Sequence, residues 1–304
     1  MNGKLVLTGV TGQKSGGVFL EHIASYIEEI SAKFPGGITV ACRESSNTSR
    51  LEDLLPQAII KRGDLSDANF LQEAFAGADT IVHIAWIRFS LQVADAAAAV
   101  GARRLICVHT TGIYSKYKAA GEEYRHIDAY VEEKCKSFNI SLTILRPTMI
   151  YGNTTDMNVT RFIRMVDRLP VMPVVNGARY ELQPVHYKDL AQAYYSCLMN
   201  EATGNHNYSL SGGEVIQLRD MLKVIGDNLG KKVTFVSVPY PLAYAGAWCV
   251  YVASLGKVDY REKVQRLCEP RVYSHEDATR DFGYNPRTFR EGVIGEVKEY
   301  LAKK

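Results

Sequence analysis

The chain has 304 residues, 46% hydrophobic and 23% charged, with 36 Lys and Arg against 33 Asp and Glu and a formal net charge of +3. That length can bury a large core, as one big domain or two unequal ones, and so balanced a charge gives no ground for a nucleic-acid partner. The cysteines (Cys42, Cys107, Cys135, Cys197, Cys249 and Cys268) lie far apart with no CxxC pair, which predicts reduced core thiols in a cytoplasmic protein and excludes a disulfide framework or a cysteine metal site.

The apolar run Lys4–Thr8 predicts a strand, and no signal-peptide pattern precedes it. It leads into Thr8-Gly9-Val10-Thr11-Gly12-Gln13-Lys14-Ser15-Gly16-Gly17 and then an amphipathic helix over Val18–Lys33, with Phe19, Ile23, Ile27 and Ile30 on one face. Strand, glycine turn and helix is the order that lets backbone amides and a helix N-terminus face a pyrophosphate. Glycine allows positive φ and removes the Cβ that would block close approach. Gly9 and Gly12 fit the start of GxxGxxG, while Ser15 takes its third place. The turn therefore reads as lengthened, with Gly16 or Gly17 at the helix–strand contact. An ordinary βα turn would need glycine for geometry alone, so the rest of the chain must support the reading.

Strands are predicted over Ile38–Arg43, Ala58–Arg62, Thr80–Ala85, Arg104–Thr110 and Ser141–Arg146, alternating with helices over Asn69–Ala76, Ser90–Val100 and Ala120–Phe138. Alternating β and α with near-continuous apolar strands argues an α/β fold with a doubly wound parallel (Rossmann) sheet. After Arg146 prolines cluster (Pro147, Pro170, Pro173, Pro184) and the pattern turns irregular. A dinucleotide-binding domain is placed over 1–152, with 180–200 returning to it, and a smaller substrate-binding region over 153–304. The apolar stretch Pro239–Leu255, broken by Gly246, is too short to span a membrane. It reads as a buried helix of the smaller region, and no membrane contact is expected.

An acidic residue at the end of the second strand would accept from the ribose hydroxyls of NAD. Arg43 stands there instead, and its planar fork suits a 2′-phosphate. Lys14 offers a second positive charge in the turn, and the adjacent Glu44 counts against the Arg43 reading. NADP is the expected cofactor, with NAD open.

Five landmarks stand in a telling order: Thr8–Gly12, Gly63-Asp64-Leu65, Val82-His83-Ile84-Ala85, Leu145-Arg146-Pro147-Thr148-Met149-Ile150-Tyr151-Gly152 and Pro184-Val185-His186-Tyr187-Lys188-Asp189-Leu190. With the tail Phe282-Gly283-Tyr284-Asn285-Pro286, they make the chain resemble an extended or atypical short-chain dehydrogenase/reductase of the NAD-dependent epimerase/dehydratase family over nearly its whole length. The resemblance implies that Asp64 accepts from the adenine amino group while Leu65 packs on the ring. Ser66 or Asp67 then better suits the cap of the next helix. It implies that Thr8, Gly9, Thr11, Gly12, Gln13 and Lys14 hold the pyrophosphate, that Ile84 and Ala85 lie along the cofactor, and that Thr110, Tyr124, Pro147, Thr148 and Ile150 line the nicotinamide end. His186 and Asp189 resemble an element that ties the smaller region to the sheet.

In this family a Ser/Thr, a Tyr and a Lys act together: the Tyr is acid or base, the Lys lowers its pKa, and the Ser/Thr bonds the same substrate oxygen. Thr110-Thr111-Gly112-Ile113-Tyr114 resembles the hydroxyl segment, so Thr110 and Thr111 are candidates, with Tyr124 as acid/base. Asp128 stands where the Lys of YxxxK belongs, and a carboxylate there would raise the Tyr pKa. Asp128→Lys would restore the family pattern and is expected to leave cofactor binding in place. A second register, Tyr114 to Lys118, also reads YxxxK, and His126 could carry a proton near neutral pH. The expected function is hydride transfer on a nucleotide-sugar or small carbonyl substrate by an NAD(P)-dependent epimerase- or reductase-like enzyme, acting as monomer or homodimer without a metal. The alternative is a non-catalytic NADP(H)-binding sensor. For a sugar nucleotide, Arg161, Arg164 and Arg179 are the available cations.

Overall fold

The computed structural model describes residues 3–117 and 119–304. Its centre is a sheet of seven strands: β1 (Lys4–Thr8), β2 (Ile38–Cys42), β3 (Ile59–Arg62), β4 (Ala78–His83), β5 (Arg104–Val108), β6 (Ser141–Pro147) and a seventh, His206–Leu210. All pair in parallel. The order across the sheet is β3-β2-β1-β4-β5-β6 and then His206–Leu210. The chain winds outward from β1 to β3, then returns to β4 on the other side. That reversal between β1 and β4 opens a crevice at the carboxyl ends of the strands.

Both faces of the sheet are covered, which is why its central strands are apolar without alternation. On one face, α1 (Ser15–Ser25) packs on the helix Tyr187–Met199, with Phe19, Leu20 and Ile23 against Leu190, Tyr194 and Leu198. The Phe19 and Tyr194 rings meet edge to face at 6.1 Å. On the other face lie the helices Ala68–Phe75, Ser90–Ala99 and Gly121–Ser137. The small side chains of Ala94, Ala96 and Ala97 let the middle helix approach its neighbours closely. A second, smaller core gathers Val159, Ile163, Met221, Ile225, Phe289 and Val293 from three later helices.

The sequence-predicted elements are present with shifted ends. The first helix begins at Ser15 and breaks at Tyr26 (φ −116°, ψ 35°), leaving a separate short helix Ile27–Lys33. β2 stops before Arg43, β4 before Ile84 and β5 before His109. Arg43, Ala85 and Thr110 are thereby loop residues, free of the ladder. The seventh strand, His206–Leu210, comes from a segment the sequence reading did not assign to the sheet; its three polar residues, His206, Asn207 and Ser209, hide the pattern.

The helix Tyr240–Ala253 corrects another expectation. It is not buried: Ala247 alone among its residues is inaccessible, while Leu242, Trp248, Val250 and Val252 are exposed. Cys249 on this helix is exposed as well, so it is no core thiol, unlike Cys42, Cys107, Cys135 and Cys197. Among the described residues no helix is long and apolar enough to cross a membrane.

Candidate functional site

The glycine turn is shaped by three close approaches. Gly9 has φ +79°, and a Cβ there would lie 2.4 Å from the Ala85 nitrogen. A Cβ on Gly16 would meet the Gly9 carbonyl oxygen at 2.3 Å, and one on Gly17 the Gly12 oxygen at 2.1 Å. So both later glycines seat the helix on the turn, which is the lengthened geometry read from the spacing. A Cβ on Gly12 would meet nothing within 4 Å. No side chain caps α1, so its first amides are available to an anion.

Two cavities flank the reversal of strand order. The first, about 440 Å³, is walled by Gly9, Thr11 and Gly12 of the turn, Arg43 and Ser46 after β2, Asp64 and Leu65 after β3, and Ala85, Trp86 and Phe89 after β4. Arg43 makes no ion pair among the described residues. Asp64 is exposed, with Oδ1 accepting from the Ser66 amide at 2.9 Å, and Leu65 is buried. The helix cap is Asp67, which accepts from Asn69 and Phe70, and Asp64 is left for the cavity.

The second cavity, about 310 Å³, is walled by Lys14, Thr110, Thr111, Thr148 and Ile150, and also by Arg266, Arg271 and Tyr273. The last three escaped the sequence reading, because no spacing pattern marks them. Arg161, Arg164 and Arg179 line neither cavity. The Nε atoms of Arg266 and Arg271 are buried without a hydrogen-bond partner among the described residues. Burial, then the Arg266 charge, lowers Arg271 to about 10. Arg266 Nη1 lies 3.8 Å from Glu262 Oε1, but both Nε groups keep an unused donor, and two guanidinium groups on one wall suit an anion.

A larger cavity, about 690 Å³, lies at the amino ends of β5 and β6, lined by Arg103, Asn139, Ser141 and Asn207. We assign it no ligand, because open α/β sheets bind at the carboxyl ends.

Not all sequence candidates reach the cleft. The Thr8 side chain is buried, its hydroxyl 2.7 Å from His83 Nδ1. Burial, then the His109 charge, lowers His83 to about 3, which keeps its ring neutral. Gln13 is exposed and lines neither cavity, its carbonyl accepting from Asn153 at 3.0 Å. Ile84 and Pro147 contribute backbone: the Ile84 amide bonds the Thr8 oxygen at 3.0 Å, and the Pro147 oxygen accepts from the Thr111 hydroxyl at 3.1 Å. Thr110 caps the short 3-10 turn Thr111–Tyr114 by accepting from the Gly112 amide. Tyr124 is 8% exposed, sits in the apolar cluster with Ile127 and Val131, and lines neither cavity. His126 is exposed on the same helix. Lys118 lies outside the described residues. Its register partner Tyr114 is exposed, with its ring 5.4 Å from that of Tyr273.

Asp128, in the place of the family's lysine, is buried and fully engaged. His109 Nδ1 is 2.6 Å from Oδ1, Arg146 Nη2 is 2.6 Å from Oδ2, and Ser90 Oγ is 2.9 Å from His109 Nε2. Burial pushes the Asp128 carboxyl up, but the His109 bond and charge, with Arg146, outweigh it and hold it below its usual range. Ser90-His109-Asp128 has the connectivity of a hydrolase relay, yet Ser90 is inaccessible. The network instead ties β5, β6 and two helices together behind the cleft.

Of the two tying candidates, Asp189 makes a long-range link, while the bond of His186 caps its own helix. The His186 ring accepts from the Lys188 amide at 3.2 Å, and Asp189 holds Arg287 of the C-terminal tail at 2.7 Å.

The NmrA-like family profile matches residues 1–247. The chain is 23% identical over 227 residues to N-acetyl-alpha-D-glucosaminyl-diphospho-ditrans,octacis-undecaprenol 4-epimerase of Escherichia coli O157:H7, covering 64% of this chain and 68% of that one. Among solved structures it is similar to DesIV, a dTDP-glucose 4,6-dehydratase from Streptomyces venezuelae with NAD and TYD bound (TM-score 0.73, 17% identity, 98% and 97% covered). It is also similar to the Citrobacter sp. triphenylmethane reductase complexed with NADP(H) (TM-score 0.70, 19% identity, 95% and 98% covered).

Proposed function

The chain belongs to the NmrA-like family, among the extended short-chain dehydrogenase/reductases that include NAD-dependent epimerases and dehydratases, and from that premise we propose that it binds NADP in preference to NAD and acts by hydride transfer on a small anionic substrate. One observation carries the proposal: the two cavities astride the strand reversal, with unpaired Arg43 in one and Arg266 and Arg271 in the other. The residues fit a dinucleotide. Gly12 leaves room beside an uncapped helix for a pyrophosphate, while Gly9 lets the turn close on the Ala85 backbone; Arg43 reads a 2′-phosphate, and Asp64 and Leu65 receive the adenine.

When bound, the nicotinamide supplies or accepts the hydride. Thr110 and Thr111 anchor the substrate oxygen and Thr148 and Ile150 shape the wall, while Tyr124, at the family's acid/base position, lies buried outside both cavities and is given no role in proton transfer. Asp128 cannot stand in for the family's lysine, since its charge is already spent on Arg146 and His109. The arginine pair suits a diphosphate, whose oxygens take bidentate bonds. The names of two relatives, a diphospho-undecaprenol-linked sugar epimerase and a dTDP-glucose dehydratase, point to the same substrate class.

Calorimetric titration of both dinucleotides tests the cofactor reading. Losing a charge-assisted contact costs about 1.5–3 kcal/mol, so Arg43→Ala should weaken NADP roughly tenfold or more and spare NAD. Equal losses would show that Arg43 does not read the phosphate. Turnover of NADPH with sugar nucleotides and carbonyl compounds tests the reaction, with Arg271→Ala expected to raise KM for the anionic substrate. Tight NADPH binding with no turnover across that panel would favour the sensor.

A further inference from the structure

From Val233 to Gly256 the chain carries no charged residue. The helix Tyr240–Ala253 occupies the middle of that stretch, and apolar side chains emerge on all its sides. Leu242 is 65% exposed, Trp248 49%, Val252 50%, and Leu255 just beyond the helix 88%. Val236, on the strand leading into the helix, is exposed too. Soluble surface helices carry an apolar stripe and a polar face, whereas a helix apolar all round belongs in an apolar medium. Fourteen residues at about 1.5 Å each give roughly 21 Å, short of a bilayer core.

We propose that this helix is a membrane-surface anchor, seated in the interfacial layer of a lipid bilayer. A protein groove would cover one side of it, and the other apolar sides would remain in water. A bilayer interface takes in the sides that the neighbouring helix Arg261–Leu267 leaves open. The polar atoms it offers are those of Tyr240, Tyr244, Trp248 and Tyr251, whose rings combine an apolar body with a polar tip and favour the headgroup level. Cations flank it on the C-terminal side: Lys257, Arg261 and Lys263 against Asp259 and Glu262. The Arg261 guanidinium stacks 3.9 Å from the centre of the Tyr251 ring, and Lys263 lies 4.7 Å from that of Tyr260. Arg261 is itself paired with Asp259 at 2.8 Å, so Lys257 and Lys263 are the cations offered to an anionic headgroup region. The helix packs on Arg261–Leu267, the helix that carries Arg266 to the second cavity. Anchoring would therefore set the cleft beside the lipid surface. The inference does not depend on the cofactor reading.

Co-sedimentation of the full chain with phosphatidylcholine vesicles, with and without phosphatidylglycerol, tests it. The wild-type chain should pellet with vesicles, more with the anionic ones. Leu242→Glu/Trp248→Glu, at exposed positions, should cut the partition at least tenfold while circular dichroism and the thermal unfolding midpoint stay unchanged. A wild-type chain that stays in the supernatant with both vesicle types overturns the proposal. So does a double variant that pellets as well as wild type. Sedimentation velocity covers the rival occupant: a wild-type dimer that becomes a monomer in the double variant, with no vesicle binding, would assign the helix to a second copy and overturn the anchor.

Discussion

Asp128→Asn isolates the strongest electrostatic claim of the structure. The asparagine keeps the shape of the side chain and removes its charge. Arg146, with only 5% of its side chain exposed, then faces a neutral amide. Removing one partner of a buried pair typically costs about 3–5 kcal/mol, because the other charge stays buried. Glu132 lies 3.9 Å from Arg146, but its side chain is 48% exposed, and a half-solvated carboxylate recovers little. We therefore expect about 3 kcal/mol, a large share of a stability of roughly 5–15 kcal/mol. Urea unfolding should show a lower midpoint with an unchanged slope. Asp128→Leu/Arg146→Met should recover most of the loss, since both charges leave together.

Asp128→Lys should fail to fold, because it sets a second cation on Arg146. The family pattern alone would recommend that change. Acid has its own signature. The folded Asp128 carboxyl titrates below its unfolded value, so its contribution is present above the unfolded pKa and disappears as pH falls through the folded one. A loss under 1 kcal/mol in Asp128→Asn, or a double variant worse than the single, would refute the argument.

Gly12→Val points a branched side chain into the open space of the turn, so calorimetry should show both dinucleotides weakened with the fold intact; unchanged affinity would remove the pyrophosphate from that turn. Tyr124→Phe should leave turnover nearly unchanged, because the ring lines neither cavity; a loss on the order of a hundredfold would make Tyr124 the proton carrier. Glu296 is inaccessible and accepts from the Gly152 amide at 2.8 Å and Thr160 at 2.7 Å. Burial, with Asp156 beside it, raises Glu296 to about 9. The folded state thus holds a proton that the unfolded state releases near its ordinary pKa. This contribution is complete below the unfolded pKa and fades as pH rises through about 9. Glu296→Gln should flatten thermal stability between pH 6 and 9, and an unchanged slope would show that the carboxyl is ionised.

The sheet and the dinucleotide turn were legible because their physics is local. A buried parallel strand must be apolar along its whole length, and a turn that carries Gly9 at positive φ admits few other residues. The cleft's far wall was not legible. Arg266 and Arg271 come from a segment without periodicity, and their meeting with Thr110 and Thr111 depends on how the smaller region folds over the sheet. Asp128 was recognised as a departure from YxxxK, but its partners Ser90, His109 and Arg146 lie on three other segments that only the tertiary structure joins. The helix at Tyr240–Ala253 misled in the opposite sense: apolar composition predicts that water is excluded, not what excludes it.

Arg104 on β5 sets a timetable for the whole chain. Its inaccessible guanidinium donates to the carbonyls of Cys197, Leu198 and Asn200 and to the Thr203 hydroxyl. All four lie 93 to 99 residues downstream. At roughly 5–20 residues per second, the ribosome leaves that cation waiting for about 5–20 s. In the same interval the outer edge of β6 has no neighbour, for His206–Leu210 is made later still. A nascent chain ending near residue 152 would thus expose a sheet edge and a half-buried charge together, a form for chaperones to hold. The order of synthesis, as much as the final packing, decides when the sheet becomes a finished object.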